Sequence, residues 1–140
     1  MKRFVLLAVI LLAVLTACQG KPAQVKGEAV TVAGGSYTNV TADELDAMLK
    51  NKDFVFVNVH IPFVGNIAGT DSSIAYDQIS DPDNLSQLPA DKNAKIVLYC
   101  RSGRMSAFAA EELVSLGYTN VWNHTGGMMD WENAGYEIEQ

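Results

Sequence analysis

The chain has 140 residues, enough for one domain of ordinary size. Asp and Glu number 16 against 10 Lys and Arg, a formal charge of −6. That balance leaves no basic face for nucleic acid and disfavours charge-driven binding to anionic lipid. Apolar residues make up 49%, which is sufficient for a packed core.

Lys2 and Arg3 precede an almost unbroken apolar run from Phe4 to Leu15. The run is too short to span a bilayer comfortably. With Thr16, Ala17 and Cys18 behind it, residues 1–17 read as a secretory signal peptide. Leu15-Thr16-Ala17-Cys18 resembles a bacterial lipobox. That resemblance implies cleavage before Cys18, lipidation of its thiol and an extracytoplasmic, membrane-anchored protein. Two or more acyl chains anchor stably where one does not. Gln19, in place of an aspartate, points to the outer membrane if the cell has two membranes. Residues 18–35 are small and polar, with glycines and a proline, and read as a flexible tether. The domain is expected over 36–140.

Thr41-Ala42-Asp43-Glu44 spells a capping box for a helix with Leu45, Met48 and Leu49 on its apolar face. Residues 54–59, FVFVNV, are β-branched and aromatic and predict a buried strand. Residues 60–79 read as loop, with a short strand near Ile74. Asp81 and Pro82 open a short helix over 81–88. Residues 95–99, KIVLY, predict a second buried strand. A helix follows from Met105 to Leu116, with Phe108, Ala109, Leu113 and Leu116 inward, and Gly117 ends it. Residues 119–122, TNVW, predict a third strand, and a last short helix stops at Gly135.

Strands alternating with helices predict an α/β fold with a parallel sheet covered on both faces. Ligands of such sheets bind beyond the C-terminal strand ends. Cys100 lies at one of those ends, followed by Arg101, Ser102, Gly103, Arg104 and Met105. A strand-to-helix loop aims backbone N–H groups and the positive end of a helix at one point. Two arginines add positive charge, and Gly103 permits a turn that a side chain would obstruct. This is the setting of a cysteine nucleophile that needs no histidine base. If Cys18 carries lipid, Cys100 has no partner in the chain, because the sequence holds only 2 cysteines.

From Tyr99 onward the chain resembles a single-domain rhodanese-like sulfurtransferase. The matching residues are Cys100, Arg101, Ser102, Gly103 and Ser106. Leu113, Gly117, Tyr118 and Val121 follow, then Gly126, Gly127, Trp131, Gly135 and Tyr136. The resemblance is weaker from Thr41 to Tyr99. It implies a sheet of about five parallel strands flanked by helices. It also implies that Cys100 takes sulfane sulfur from thiosulfate or a similar donor as a persulfide. Cyanide, a thiol or a protein would then accept that sulfur. The amides of residues 101–105 would cradle the anion. Two departures stand out. Asn58-Val59-His60 replaces an Asp-Val-Arg, so neutral hydrogen bonds are expected in place of a buried charge pair, with Asn58 and His60 behind the site. Met105 stands where an arginine is frequent, with Arg104 just before it.

The remaining candidates read more plainly. His124 is expected on a loop before Gly126-Gly127. His60 and His124 are not spaced as a metal pair, and no cofactor is called for. Trp122 and Trp131 read as core, and the Met128-Met129 pair as helix packing. Gly126-Gly127 is too short for a nucleotide-binding fingerprint. Two further functions compete with the sulfurtransferase. One is a non-turnover module that carries a persulfide or binds a partner. The other is a phosphatase of related fold, which needs an arginine where Ser106 stands. The chain reads as a monomer with no nucleic-acid partner.

Overall fold

A computed structural model describes residues 24–140. The expected signal peptide, Cys18 and the first part of the expected tether lie outside the described residues.

Glu28–Val32 forms strand β1 and Gly35–Val40 forms β2. They pair antiparallel, from Glu28 opposite Asn39 to Val32 opposite Gly35. The tether expected over 18–35 is thereby corrected: its last residues are a hairpin, and the folded domain begins well before Ser36. The cause is alternation. Val30 and Val32 pack against the core, while Glu28, Ala29 and Thr31 stay exposed. Gly34 closes the turn at a φ of 90°, in the left-handed region.

Helix α1 spans Ala42–Leu49. Its capping box forms as the sequence predicts. The Thr41 hydroxyl accepts from the Glu44 N–H at 3.3 Å, and the Glu44 carboxylate accepts from the Thr41 N–H at 3.0 Å. Glu44 also accepts from the N–H groups of Lys26 and Gly27, both at 3.0 Å, which ties the entering chain to the helix. Such a cap contributes about 1 kcal/mol.

Strands β3 (Val55–Asn58), β5 (Ser72–Ser73), β6 (Ile96–Tyr99) and β7 (Val121–His124) join the hairpin in the order β1-β2-β7-β6-β3-β5. Every pairing except the hairpin is parallel. The five parallel strands expected are therefore present, with an antiparallel strand added at one edge. A second, two-stranded sheet pairs β4 (Asn66–Ile67) with β8 (Ile138–Glu139). It fastens the chain's last residues onto the loop after β3.

Helix α3 (Arg104–Ser115), helix α2 (Pro82–Leu85) and a 3-10 turn (Tyr76–Gln78) cover one face of the sheet. Helices α1 and α4 (Gly127–Asn133) cover the other. Strand β6 shows why. Ile96, Leu98 and Cys100 enter the core under α3, whereas Val97 and Tyr99 enter the core under α1 and α4. The period of two thus sends the Cys100 side chain toward α3.

The inward face of α3 differs from the expected one. Ser106, Ala109, Ala110, Leu113 and Val114 are buried, whereas Phe108 is 50% exposed and Leu116 37%. The buried stripe still follows helical spacing, one position away. Small residues at 106, 109 and 110 let the helix lie close over the sheet, which turns Phe108 outward. The expected stop at Gly117 is present, at a φ of 89°. The Gly117 N–H donates to the Val114 carbonyl and the Tyr118 N–H to the Leu113 carbonyl, the two hydrogen bonds of a Schellman ending. At α2, Pro82 opens the helix, but the Asp81 side chain makes no capping bond. The Asp81 carbonyl instead accepts from Asn84 and Leu85.

Candidate active site

Cys100 follows the last residue of β6 and is 1% exposed. Its Sγ accepts from the Gly103 N–H at 3.1 Å and from the Ser106 hydroxyl at 3.5 Å. Both donors sit at the start of α3, whose first turn carries no acidic residue. The positive end of that helix therefore meets the sulfur without a competing carboxylate.

Two glycines set the shape of the loop. Gly103 has a φ of 87°, and a Cβ there would stand 1.8 Å from the Thr125 carbonyl oxygen. Gly127 has a φ of 60°, and its Cβ would stand 2.5 Å from the Cys100 carbonyl oxygen. With no side chains between them, α4 closes on the loop. The Met128 N–H donates to the Cys100 carbonyl at 2.9 Å, and the Met129 N–H to the Arg101 carbonyl at 3.0 Å. The loop is thus clamped by α4 while the Gly103 amide stays turned toward sulfur.

Of the loop residues singled out in the sequence, Arg101, Ser102 and Arg104 are exposed, Met105 is half-buried and Gly103 is buried. Gly103 supplies the loop amide that reaches Sγ. Neither Arg101 nor Arg104 takes part in an ion pair among the described residues. Both guanidinium groups are available to an anion in solvent. Ser106 belongs to the site, although the sequence reading used it only as a motif residue. Its signal was its place, one helical turn beyond Gly103 and so on the same side of α3.

Asn58 is buried at the end of β3. Its amide donates to the Gly65 carbonyl at 2.9 Å and to Asn66 Oδ1 at 3.0 Å. Its own Oδ1 accepts from the His60 N–H at 2.9 Å. These neutral bonds hold the loop after β3 in place. His60 is half-buried, and its Nδ1 has no partner. Burial first, and then the Arg101 charge, push its pKa below the ordinary histidine value. Neither histidine hydrogen-bonds to Cys100 among the described residues.

His124 is corrected from a loop position to the last residue of β7. It is fully buried, with Nδ1 3.2 Å from the Val40 carbonyl and Nε2 without a partner. Because a carbonyl only accepts, Nδ1 carries a proton. Burial lowers its pKa, opposed by the Val40 carbonyl, the Asp130 charge and Gly127. An unfolded chain would protonate this ring near pH 6.5, whereas the folded one resists. Stability should therefore fall as pH drops below about 6.5, by at most about 1.4 kcal/mol per pH unit from this residue. His60 titrates in the same direction, so the check compares parent and variant. Urea midpoints of His124→Gln should depend less on pH between neutral and mildly acidic buffer. Equal dependence in both proteins would exclude His124 as a source.

A family profile described as rhodanese-like domain matches residues 41–134. The chain belongs to the rhodanese-like family. Among curated proteins, this rhodanese-like chain is 33% identical over 106 residues to an uncharacterized protein of Synechocystis. That match covers 74% of the chain and 58% of the relative. A protein named sulfurtransferase in Allochromatium vinosum is 39% identical over 57 residues, which are 41% of the chain and 51% of that protein. The chain thus spans little more than half the length of either relative. Among solved structures, a rhodanese-like domain protein from Staphylococcus aureus matches at a TM-score of 0.58 and 32% identity. There 73% of the chain and 98% of the other are covered.

Proposed function

We propose that this rhodanese-like protein is a membrane-anchored, extracytoplasmic sulfurtransferase working through a persulfide on Cys100. The observation that carries it is the pair of donors, Gly103 N–H and Ser106 hydroxyl, converging on a sulfur at the mouth of α3. A thiolate there attacks the outer sulfur of thiosulfate. The S–S bond of the donor breaks, sulfite leaves with the bonding pair, and Cys100 becomes a persulfide anion. Cyanide or a thiolate then attacks the outer sulfur and restores the Cys100 thiolate. The same two donors can stabilise the attacking thiolate and the persulfide anion that replaces it. The test is direct: purified protein with thiosulfate and cyanide should form thiocyanate over many turnovers.

The burial of Cys100 favours a second reading, a carrier that loads sulfur and releases it only to a docked partner. In that case thiosulfate would load one sulfur per chain, and cyanide would leave it in place.

Arg104 is assigned to the approach of anionic donors. It is exposed at the start of α3, and Met105 leaves that half of the loop without another cation. Arg104→Ala should raise the KM for thiosulfate about threefold to tenfold, a charge effect that added salt should erase in the parent. Unchanged kinetics with thiosulfate would remove the assignment.

Membrane attachment rests on the Leu15-to-Cys18 stretch of the sequence. Cys18→Ser should move the protein from the membrane fraction to the soluble one, or leave it as an uncleaved precursor. Unaltered partition and mature mass would count against a lipid anchor.

A further inference from the structure

A hollow of about 680 Å³ lies away from Cys100, where the end of β1, the 3-10 turn and the outer face of α3 meet. Its floor is apolar, with Val32, Tyr76 and Phe108. The Tyr76 and Phe108 rings stand 6.3 Å apart at 35°, and Phe108 remains 50% exposed. Its rim is acidic, with Asp77, Glu111 and Glu112, all exposed.

None of those three carboxylates makes an ion pair among the described residues. Lys50, Lys52 and Lys95 pair with Asp46, Asp71 and Asp53. Lys92 sits 3.6 Å over the Tyr118 ring. A single exposed phenylalanine needs no explanation. Two aromatic faces inside a ring of unpaired carboxylates are different, because each attracts a cation that also has apolar surface.

The hollow is also in line with the sulfur site. Arg104, Phe108, Glu111 and Ser115 recur at helical spacing along α3. Phe108 stands four residues beyond Arg104, about 6 Å of helix rise. The face is cationic at the cysteine loop and acidic two turns on. A partner lying along it would place its own thiol near Cys100 and its basic segment in the hollow.

We propose that this groove docks a segment of the protein that takes sulfur from Cys100, a segment in which an apolar side chain is flanked by arginine or lysine. The assignment rests on the sulfurtransferase reading. It adds the chemistry of the acceptor.

The probe is a fluorescein-labelled peptide with leucine between two arginines and a cysteine a few residues away. Its twin carries glutamate for arginine. The basic peptide should bind by fluorescence anisotropy, more weakly in high salt, and the acidic twin should not. Phe108→Ala should weaken binding about tenfold, and Glu112→Gln about threefold. Glu112 is an exposed helix residue, so its variant tests the groove even if Phe108→Ala perturbs the fold. With the persulfide loaded, both variants should raise the KM for sulfur transfer to the basic peptide and leave turnover to cyanide unchanged. Peptide binding indifferent to both substitutions, with cyanide turnover intact, would overturn the groove and spare the sulfurtransferase. No sulfur transfer by the parent, either to cyanide or to the peptide, would instead overturn the sulfurtransferase reading, and the acceptor role with it. Arginine amide competing as well as the peptide would assign the hollow to a small cation. A dimer in sedimentation that Phe108→Ala disperses would assign it to a second copy. Either result would overturn the proposal.

Discussion

Cys100→Ser should reduce sulfur transfer about a thousandfold or more, to the background of the uncatalysed reaction. A serine hydroxyl is a poor nucleophile without a base, and no histidine reaches this position. The fold should survive, because serine is close in size and inherits two hydrogen-bond donors at once, the Gly103 N–H and the Ser106 hydroxyl. A buried hydroxyl with partners costs far less than one without. After thiosulfate treatment, intact-mass measurement should show one added sulfur on the parent and none on the variant. Cys100 is the one cysteine among the described residues, so an added sulfur in the variant would point outside the domain. Full transfer by the variant would rule out the persulfide. An unfolded variant would show instead that the thiol is needed for packing.

Gly103→Ala should be the most damaging conservative change in the loop. The left-handed backbone alone costs a residue with a Cβ about 1–2 kcal/mol. Here the Cβ would also fall 1.8 Å from the Thr125 carbonyl oxygen, a rigid backbone atom. Together the loss should be about 3–5 kcal/mol. Any relief must move the loop away from Thr125, and that movement carries the Gly103 N–H off the sulfur. Activity should therefore fall further than the folded fraction does. Gly117→Ala supplies the control. Gly117 has a φ of 89°, yet nothing lies within 4 Å of a Cβ placed there. It should lose only the backbone term and keep its activity. Urea unfolding of the two variants measures the clash by difference. Equal losses would mean that Thr125 does not confine the loop.

Much of the fold was legible because its signals are local. The buried runs at 54–59 and 95–99 could not be solvated strands, and Thr41 with Glu44 could close a cap without help from elsewhere. Cys100 was legible for the same reason: a thiol at a strand end, before a glycine turn and a helix, is placed by its neighbours in sequence. The hairpin at 28–40 was not. Its alternation is short, and its glycines and charges resemble a linker until β7 is present to pair with β2. The sequence places His124 in a loop because only that parallel pairing extends β7 to it. The sequence points Phe108 inward because a helix pattern sets the spacing of a face but not its rotation. The close approach of Ala109 and Ala110 to the sheet set that rotation.

By itself the sequence determined where the candidate cysteine lies, the turn that follows it and the alternation of strands and helices. Each follows from residues a few positions apart, whose geometry the backbone dictates. Only the tertiary structure decided what clamps the loop. The Met128 and Met129 amides, the Thr125 carbonyl and Gly127 reach it from a segment more than twenty residues away. It also decided that Asn58 serves the loop after β3 through neutral bonds, and that acidic residues of the 3-10 turn and of α3 border an aromatic floor. Hydrogen bonds and van der Waals contacts act over a few ångströms, so such groups meet only after the sheet has brought distant strands side by side.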